Sequence, residues 1–202
     1  MKRKNLLKLI CVFACSALCF AAKVKRVDSN EITDLDGFWN DNDVKIVCEN
    51  LIEQCINSPA VRRKTAQIES KTGDMPFAII GKIENNSSEH IDTSIIENKF
   101  RNAIINSGAM NFVASRNERD YLREEKIDQQ DSTADAKKLD NETAADYMLI
   151  GTVKSIIQKE GKKSVRAYFV DVQLVDIETN RILWTGEDDS IKKIVKKSKY
   201  KL

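Results

Sequence analysis

The chain alternates between stretches whose apolar residues recur at helical spacing and stretches whose apolar residues recur at strand spacing. Counting from Val44, the apolar positions Val47, Cys48, Leu51, Ile52, Cys55 and Ile56 fall at i+3, i+4, i+7, i+8, i+11 and i+12. That continuous stripe predicts a helix over about 42–57. Its entry is Asp36-Gly37-Phe38-Trp39-Asn40-Asp41-Asn42-Asp43. An aromatic pair is followed by Asn and Asp side chains that can accept hydrogen bonds from the free N–H groups of a helix start. Asn57-Ser58-Pro59 stops the helix, and the polar residues 60–75 predict no more than a further short helical turn before Gly73-Asp74. Pro76 to Ile83 reads as a strand buried on both faces.

A second helix is predicted over about 93–107, capped by Asp92 or Thr93, with Ile95, Ile96, Phe100, Ala103 and Ile104 turned inward. It ends at Ser107-Gly108, where glycine suits the left-handed C-terminal position. Met110 to Ala114 predicts a short strand, and Ser115 can cap a charged helix from Asn117 to about Ile127. Residues 128–133 read as turn, and a weaker helix is expected over about 134–142. Asp146 to Gln158 and Ser164 to Asp176 read as two strands joined at Lys159-Glu160-Gly161-Lys162, a hairpin signal. Glu178-Thr179-Asn180 turns into a last strand, Arg181 to Glu187, with Trp184 at or near the core. This order predicts an α/β fold: a mixed sheet with helices packed on its faces and antiparallel C-terminal strands.

The N-terminus changes the picture of where this domain resides. Met1 to Asn5 is a positively charged opening, and Leu9 to Ala22 is an uninterrupted apolar run of 14 residues. A membrane span needs about 20, so residues 1–22 read as an export signal. Cys15 follows Val12-Phe13-Ala14 and Cys19 follows Ser16-Ala17-Leu18, which makes both candidates for the acylated cysteine of a lipoprotein. Ordinary cleavage after Ala21 or Ala22 is the alternative. Residues 23–36 read as a short tether, 37–190 as one globular domain and 191–202 as a Lys-rich tail. A tether of about 15 residues has an end-to-end distance of about 20–25 Å and spans roughly 50 Å when fully stretched.

Charge follows from the same division. The 202 residues carry a formal net charge of +2, but Lys2, Arg3, Lys4 and Lys8 lie in the export segment. Without them 29 basic residues face 31 acids, a net of −2. The exception is the C-terminal end, with Lys192, Lys193, Lys196, Lys197, Lys199 and Lys201. It reads as a solvated tail or as an electrostatic contact for an anionic lipid or polymer. Basic residues are not interleaved with aromatics, which argues against a nucleic-acid surface. After export only Cys48 and Cys55 remain. Seven residues apart on one helix they lie about 10.5 Å apart along its axis, beyond disulfide reach, so both are expected buried as small apolar side chains.

Signals for chemistry are weak. Gly161-Lys162-Lys163-Ser164 lacks the upstream glycine and the following helix of a phosphate-binding loop. A Ser or Cys nucleophile needs a base, and His90 is the single histidine; Ser87 and Ser88 lie close to it in sequence, but no nucleophile-elbow pattern surrounds them. No catalytic residue, cofactor or metal is expected. Two residues stand out as candidate partner contacts. Trp39 precedes a helix, and Trp is enriched at binding hot spots; packing is the plainer alternative. His90 sits in the strand-to-helix loop Glu84 to Asp92, the edge where open α/β sheets often bind ligands. The plainer alternative there is a histidine that holds the turn.

Several segments together resemble one family. They are Phe38 to Asp43, Ile79 to Asn85 with Glu89-His90-Ile91-Asp92-Thr93, Ile105 to Gly108, Phe112 to Arg116, Asp128-Gln129-Gln130, and Ala145 to Thr152. The pattern, covering about residues 34–195, resembles the LpoB-type penicillin-binding-protein activators, bacterial envelope lipoproteins. The resemblance implies a fold like the TolB N-terminal domain. It also implies a non-catalytic regulator, held to the outer membrane by an N-terminal lipid, that binds a class A penicillin-binding protein and stimulates peptidoglycan synthesis. A structural or secretion-associated lipoprotein of outer-membrane assembly is the alternative. Trp39 and His90 are signature positions of the pattern.

Overall fold

The structure, a computed structural model, describes residues 25–28 and 31–196. The export segment, with Cys15 and Cys19, lies outside the described residues, as does the chain end from 197. Contacts divide the chain at Ile32/Thr33. Of the first unit the description holds one backbone hydrogen bond, from the Glu31 N–H to the Asp28 carbonyl. The second unit carries the fold, and its elements are α1 (Asp41–Asn57), α2 (Pro59–Thr72), β1 (Phe77–Asn86), α3 (Thr93–Ser107), β2 (Asn111–Phe112), α4 (Arg116–Ser132), β3 (Tyr147–Glu160), β4 (Lys163–Asp176), β5 (Arg181–Asp188) and β6 (Lys192–Lys196).

The sheet is mixed, in the order β2-β1-β3-β4-β5, with β6 paired to β4. β1 runs parallel to β2 and β3, whereas β3, β4, β5 and β6 are joined by antiparallel pairs. β5 takes the C-terminal half of β4's free edge (Val170 to Asp176) and β6 the N-terminal part (Lys163 to Ala167).

Register shows which side of the sheet is covered. Leu149 lies opposite Leu174, and Val153 opposite Val170. Leu174 in turn lies opposite Trp184. These side chains share one face with Tyr147, Tyr168 and Val172, and all of them but Trp184 are fully buried. Against that face lie the apolar stripe of α1 (Val44, Val47, Cys48, Leu51, Ile52, Cys55) and, from α3, Ile96, Phe100 and Ile104, in one core cluster. α2 joins the same side through Val61 and an ion pair of 2.8 Å between Lys64 and Asp176. Cys48 and Cys55 are free and buried, as expected. Trp184 lies half-buried against the core, over Gly186, where any side chain would collide with its ring.

Ile79, Met148, Ile150, Phe169 and Val175 alternate with the core residues and point the other way, and none of them is buried. Pro76 to Ile83 is therefore not buried on both faces. β1 buries only Ala78 and Ile83, with its register shifted between Ile80 and Ile83, and it continues to Asn86.

Further expectations differ from the structure. Where residues 60–75 predict a short turn, Pro59–Thr72 forms a helix of 14 residues, with Pro59 at its first position and Gly73 ending it in the left-handed conformation. Its composition is polar because only Val61 is buried. The strand expected at Met110–Ala114 is two residues long. α4 runs on to Ser132, and residues 134–142, expected as a helix, form turns instead. Finally, Lys192–Lys196, within the residues expected as tail, forms strand β6.

Candidate functional site

The two most specific segments of the sequence, Asp36 to Asp43 and Glu89 to Thr93, meet at one end of the covered face. Helix α1 starts with a capping box: the Asn40 side chain accepts from the Asp43 N–H at 3.1 Å, and the Asp43 carboxylate accepts from the Asn40 N–H at 2.9 Å. Reciprocal caps of this kind satisfy two of the donors a helix start leaves free. The same Asp43 carboxylate is also met by Lys193 of β6, whose ammonium lies 2.7 Å away. Lys193 further donates to Asp34 at 2.7 Å and to the Phe38 carbonyl at 2.9 Å. One lysine thus ties the chain ahead of α1 to the last strand. Burial pulls the pKa of Lys193 down, but its bonds to Asp34 and Asp43 outweigh that and the net direction is up.

Glu89, with 6% of its side chain exposed, forms the second knot. Its carboxylate accepts from the Tyr168 hydroxyl at 2.8 Å and from the Trp39 N–H at 3.2 Å. Arg166 stands 3.6 Å from the same carboxylate, an ion pair rather than a hydrogen bond. The Arg166 guanidinium lies 3.8 Å over the Phe38 ring, a cation–π contact. Trp39 meets Tyr168 edge to face at 5.2 Å. The Tyr168 hydroxyl oxygen also lies 3.2 Å from the Gly37 carbonyl. Burial, then the Glu89 carboxylate, push the Tyr168 phenol well above its ordinary range.

The sequence candidates separate here. Trp39 is half-buried within this cluster, against Tyr168, and Phe38 is the more exposed aromatic of the pair. His90 is exposed. It does not hold the turn through any described hydrogen bond. Asn85 does that, donating to the Glu89 and Ile91 carbonyls, with Ser87 beside it. Asp92 caps α3 through the Ser94 N–H at 3.0 Å, and its pKa is lowered by Ser94 first and slightly by His90. Among the described residues no group of three or more His, Cys, Asp or Glu side chains is placed to hold a metal ion. On the helix-free face, a shallow groove is bordered by Glu84 and Asp171, each paired with a lysine, Lys82 at 3.2 Å and Lys154 at 2.8 Å.

Arg166 and Lys193 are the residues that sequence reasoning missed. A signal existed for one of them. Arg166 shares the parity of Tyr168, Val170 and Val172 on β4, the inward set of an alternating strand, and a charged residue at an inward position needs a partner. Lys193 carries no such signal within a run of lysines.

The family described as peptidoglycan-synthase activator LpoB matches residues 43–190. No curated protein matches the chain. Among solved structures, the LpoB C-terminal domain from Salmonella enterica is 14% identical, covering 69% of this chain and 95% of that one at a TM-score of 0.36. The LpoB C-terminal domain from Escherichia coli is 18% identical, covering 61% and 92% at 0.37. The lipoprotein GNA1162 from Neisseria meningitidis is 15% identical, covering 62% and 88% at 0.34. Likenesses this distant carry no functional argument.

Proposed function

Because the chain belongs to the LpoB family of peptidoglycan-synthase activators, we propose that it is a non-catalytic envelope lipoprotein that binds a class A penicillin-binding protein and stimulates its synthesis of peptidoglycan. The family match over residues 43–190 carries this reading. The site supports it in kind. Its polar groups bind one another, as Glu89 binds Tyr168 and Lys193 binds Asp43, which suits a rigid docking module more than a reacting centre. Residues 1–22 serve as export signal, Cys19 or Cys15 takes the lipid, and the domain faces the periplasm from the outer membrane. Exposed His90 and the aromatic pair beside it contribute to the partner contact, with Trp39 acting mainly by holding Phe38 and the entry segment in place.

Every described core residue lies between Val44 and Ile191, so a chain without residues 1–22 keeps its core. Added to a purified class A synthase, that chain raises the rate of glycan polymerisation, and it retains the synthase on an affinity resin. A chain that neither binds nor alters the rate refutes the reading. His90→Ala weakens retention by several-fold while leaving the thermal midpoint unchanged; unchanged retention removes His90 from the contact.

A further inference from the structure

The face of the sheet that no helix covers becomes basic and apolar at one end. Residues pointing to that face from three adjacent strands fall in register. Ile156 lies opposite Ala167, which lies opposite Lys192. Gln158, Val165 and Ile194 form the next row, and Glu160, Lys163 and Lys196 the last. Ile156 is 53% exposed and Ile194 63%, large values for isoleucines in paired strands. Val165, Ala167 and Phe169 fill the space between them, half-buried.

The lysines around this patch face one acid, Glu160, which lies directly opposite Lys163. Lys163, Lys192 and Lys196 are exposed, and none of them enters an ion pair among the described residues. Lys163 stands directly opposite Lys196, a like-charge pairing that destabilises a sheet. Lys159 and Lys162 extend the same end at the β3–β4 turn, and the sequence continues past β6 with Lys197, Lys199 and Lys201. Glu160 on the other side of Lys163 offsets part of that cost, and an anionic partner would offset the rest.

We propose that this end of the open face, centred on Ile156, Val165 and Ile194 and rimmed by Lys163, Lys192 and Lys196, is a contact surface for a bilayer containing anionic phospholipid. Shallow apolar side chains flanked by lysines match a bilayer interface: the isoleucines enter the headgroup region while the ammonium groups meet phosphates. The chain leading back to the export segment points to the same occupant. Within the folded unit it runs along β6, where Gly37 lies against Val195 and Asp34 is bound to Lys193. The chain therefore enters the folded unit beside the basic strand. The contact is independent of any synthase, and its test contains none.

The chain lacking residues 1–22 is sedimented with vesicles of phosphatidylcholine alone and of phosphatidylcholine with roughly 30% phosphatidylglycerol. Partition is expected onto the anionic vesicles only, and it is lost at about 0.5 M salt, where charges are screened. The triple variant Lys163→Gln, Lys192→Gln, Lys196→Gln lowers partition by more than about tenfold. Ile194→Asp, at an exposed position that leaves the core untouched, does the same. A polarity-sensitive dye on Ile194→Cys shifts to the blue with anionic vesicles, and the same dye on Leu122→Cys of α4 does not. Labelling is selective because Cys48 and Cys55 are buried, with thiols pushed up to about 12. No binding, equal binding to neutral vesicles, binding unaffected by both variants, or binding to soluble polyglutamate in place of vesicles overturns the proposal.

Discussion

Lys193 shows how one side chain joins distant parts of the chain. It is 11% exposed at its side chain and stands between Asp34, which is half-exposed, and Asp43, which is 6% exposed. Removing one partner of a buried pair leaves the other charge without compensation, and that commonly costs about 3–5 kcal/mol. Asp43 keeps its bond from the Asn40 N–H, so Lys193→Met is expected at the low end, about 3 kcal/mol. Asp43→Asn alone costs less, since an amide oxygen still accepts from Asn40. Because a neutral amide at position 43 no longer needs the ammonium, the double variant Asp43→Asn, Lys193→Met is more stable than the sum of the single losses. Urea unfolding of the four proteins checks this. Strict additivity within about 0.5 kcal/mol would mean that the pair is not coupled. Asp43 was legible in the sequence as a helix-start residue. Its lysine was not, because nothing in a run of lysines marks the one whose position on β6 faces inward.

Among the elements, α4 stands apart. It buries no residue, and Tyr121, Leu122 and Ile127 are exposed on it. What holds it is polar: a capping box between Ser115 and Glu118, the Arg101–Glu118 ion pair at 2.8 Å, and Arg123 bonded to Glu142. The Ser115 hydroxyl and N–H, then Arg101, pull Glu118 down to about 2. Removing a Ser cap costs about 1 kcal/mol, and in a helix that contributes nothing to the core the loss is local. Ser115→Ala is therefore expected to speed amide hydrogen exchange across residues 116–132 while leaving the thermal midpoint unchanged. A lowered midpoint would show that α4 belongs to the cooperative unit. The same polarity explains why the end of α4 was misplaced in the sequence. Periodicity reports the face an element buries, so α1 and α3, with full apolar stripes, were legible nearly to the residue. α2, with only Val61 buried, and α4, with nothing buried, gave no stripe to read, and for both the caps were the better signal.

At the scale of the whole molecule, helices cover one side of the sheet rather than both, and β4, with Tyr168, Val170, Val172 and Leu174 buried and their neighbours not, carries that one-sidedness in its alternation. The two-faced reading of β1 failed because Pro76 to Ile83 is largely apolar, and a nearly unbroken apolar run does not say which side faces water. The covered side gathers several groups whose protons the fold retains. Burial pushes Cys48, Cys55 and Tyr147 each up to about 12, and pushes Tyr168 higher. Lys193 is also raised, in its case by Asp34 and Asp43 against the pull of burial. In the unfolded chain the thiols release protons near 9.0 and the phenols near 10.0. Between those values and the folded ones the unfolded state binds fewer protons than the native state, so stability falls as pH rises. Each fully buried group costs about 1.4 kcal/mol per pH unit within that window. Stability is expected to be level up to about pH 8.5 and then to fall with a slope that steepens past about pH 10, as the phenols join the thiols. Urea midpoints between about pH 7 and pH 11 measure it. Replacing both thiols by Cys48→Ala and Cys55→Ala lowers stability at every pH but removes the part of the slope that begins near 9.0, whereas an unchanged slope would place the alkaline loss elsewhere than in the thiols.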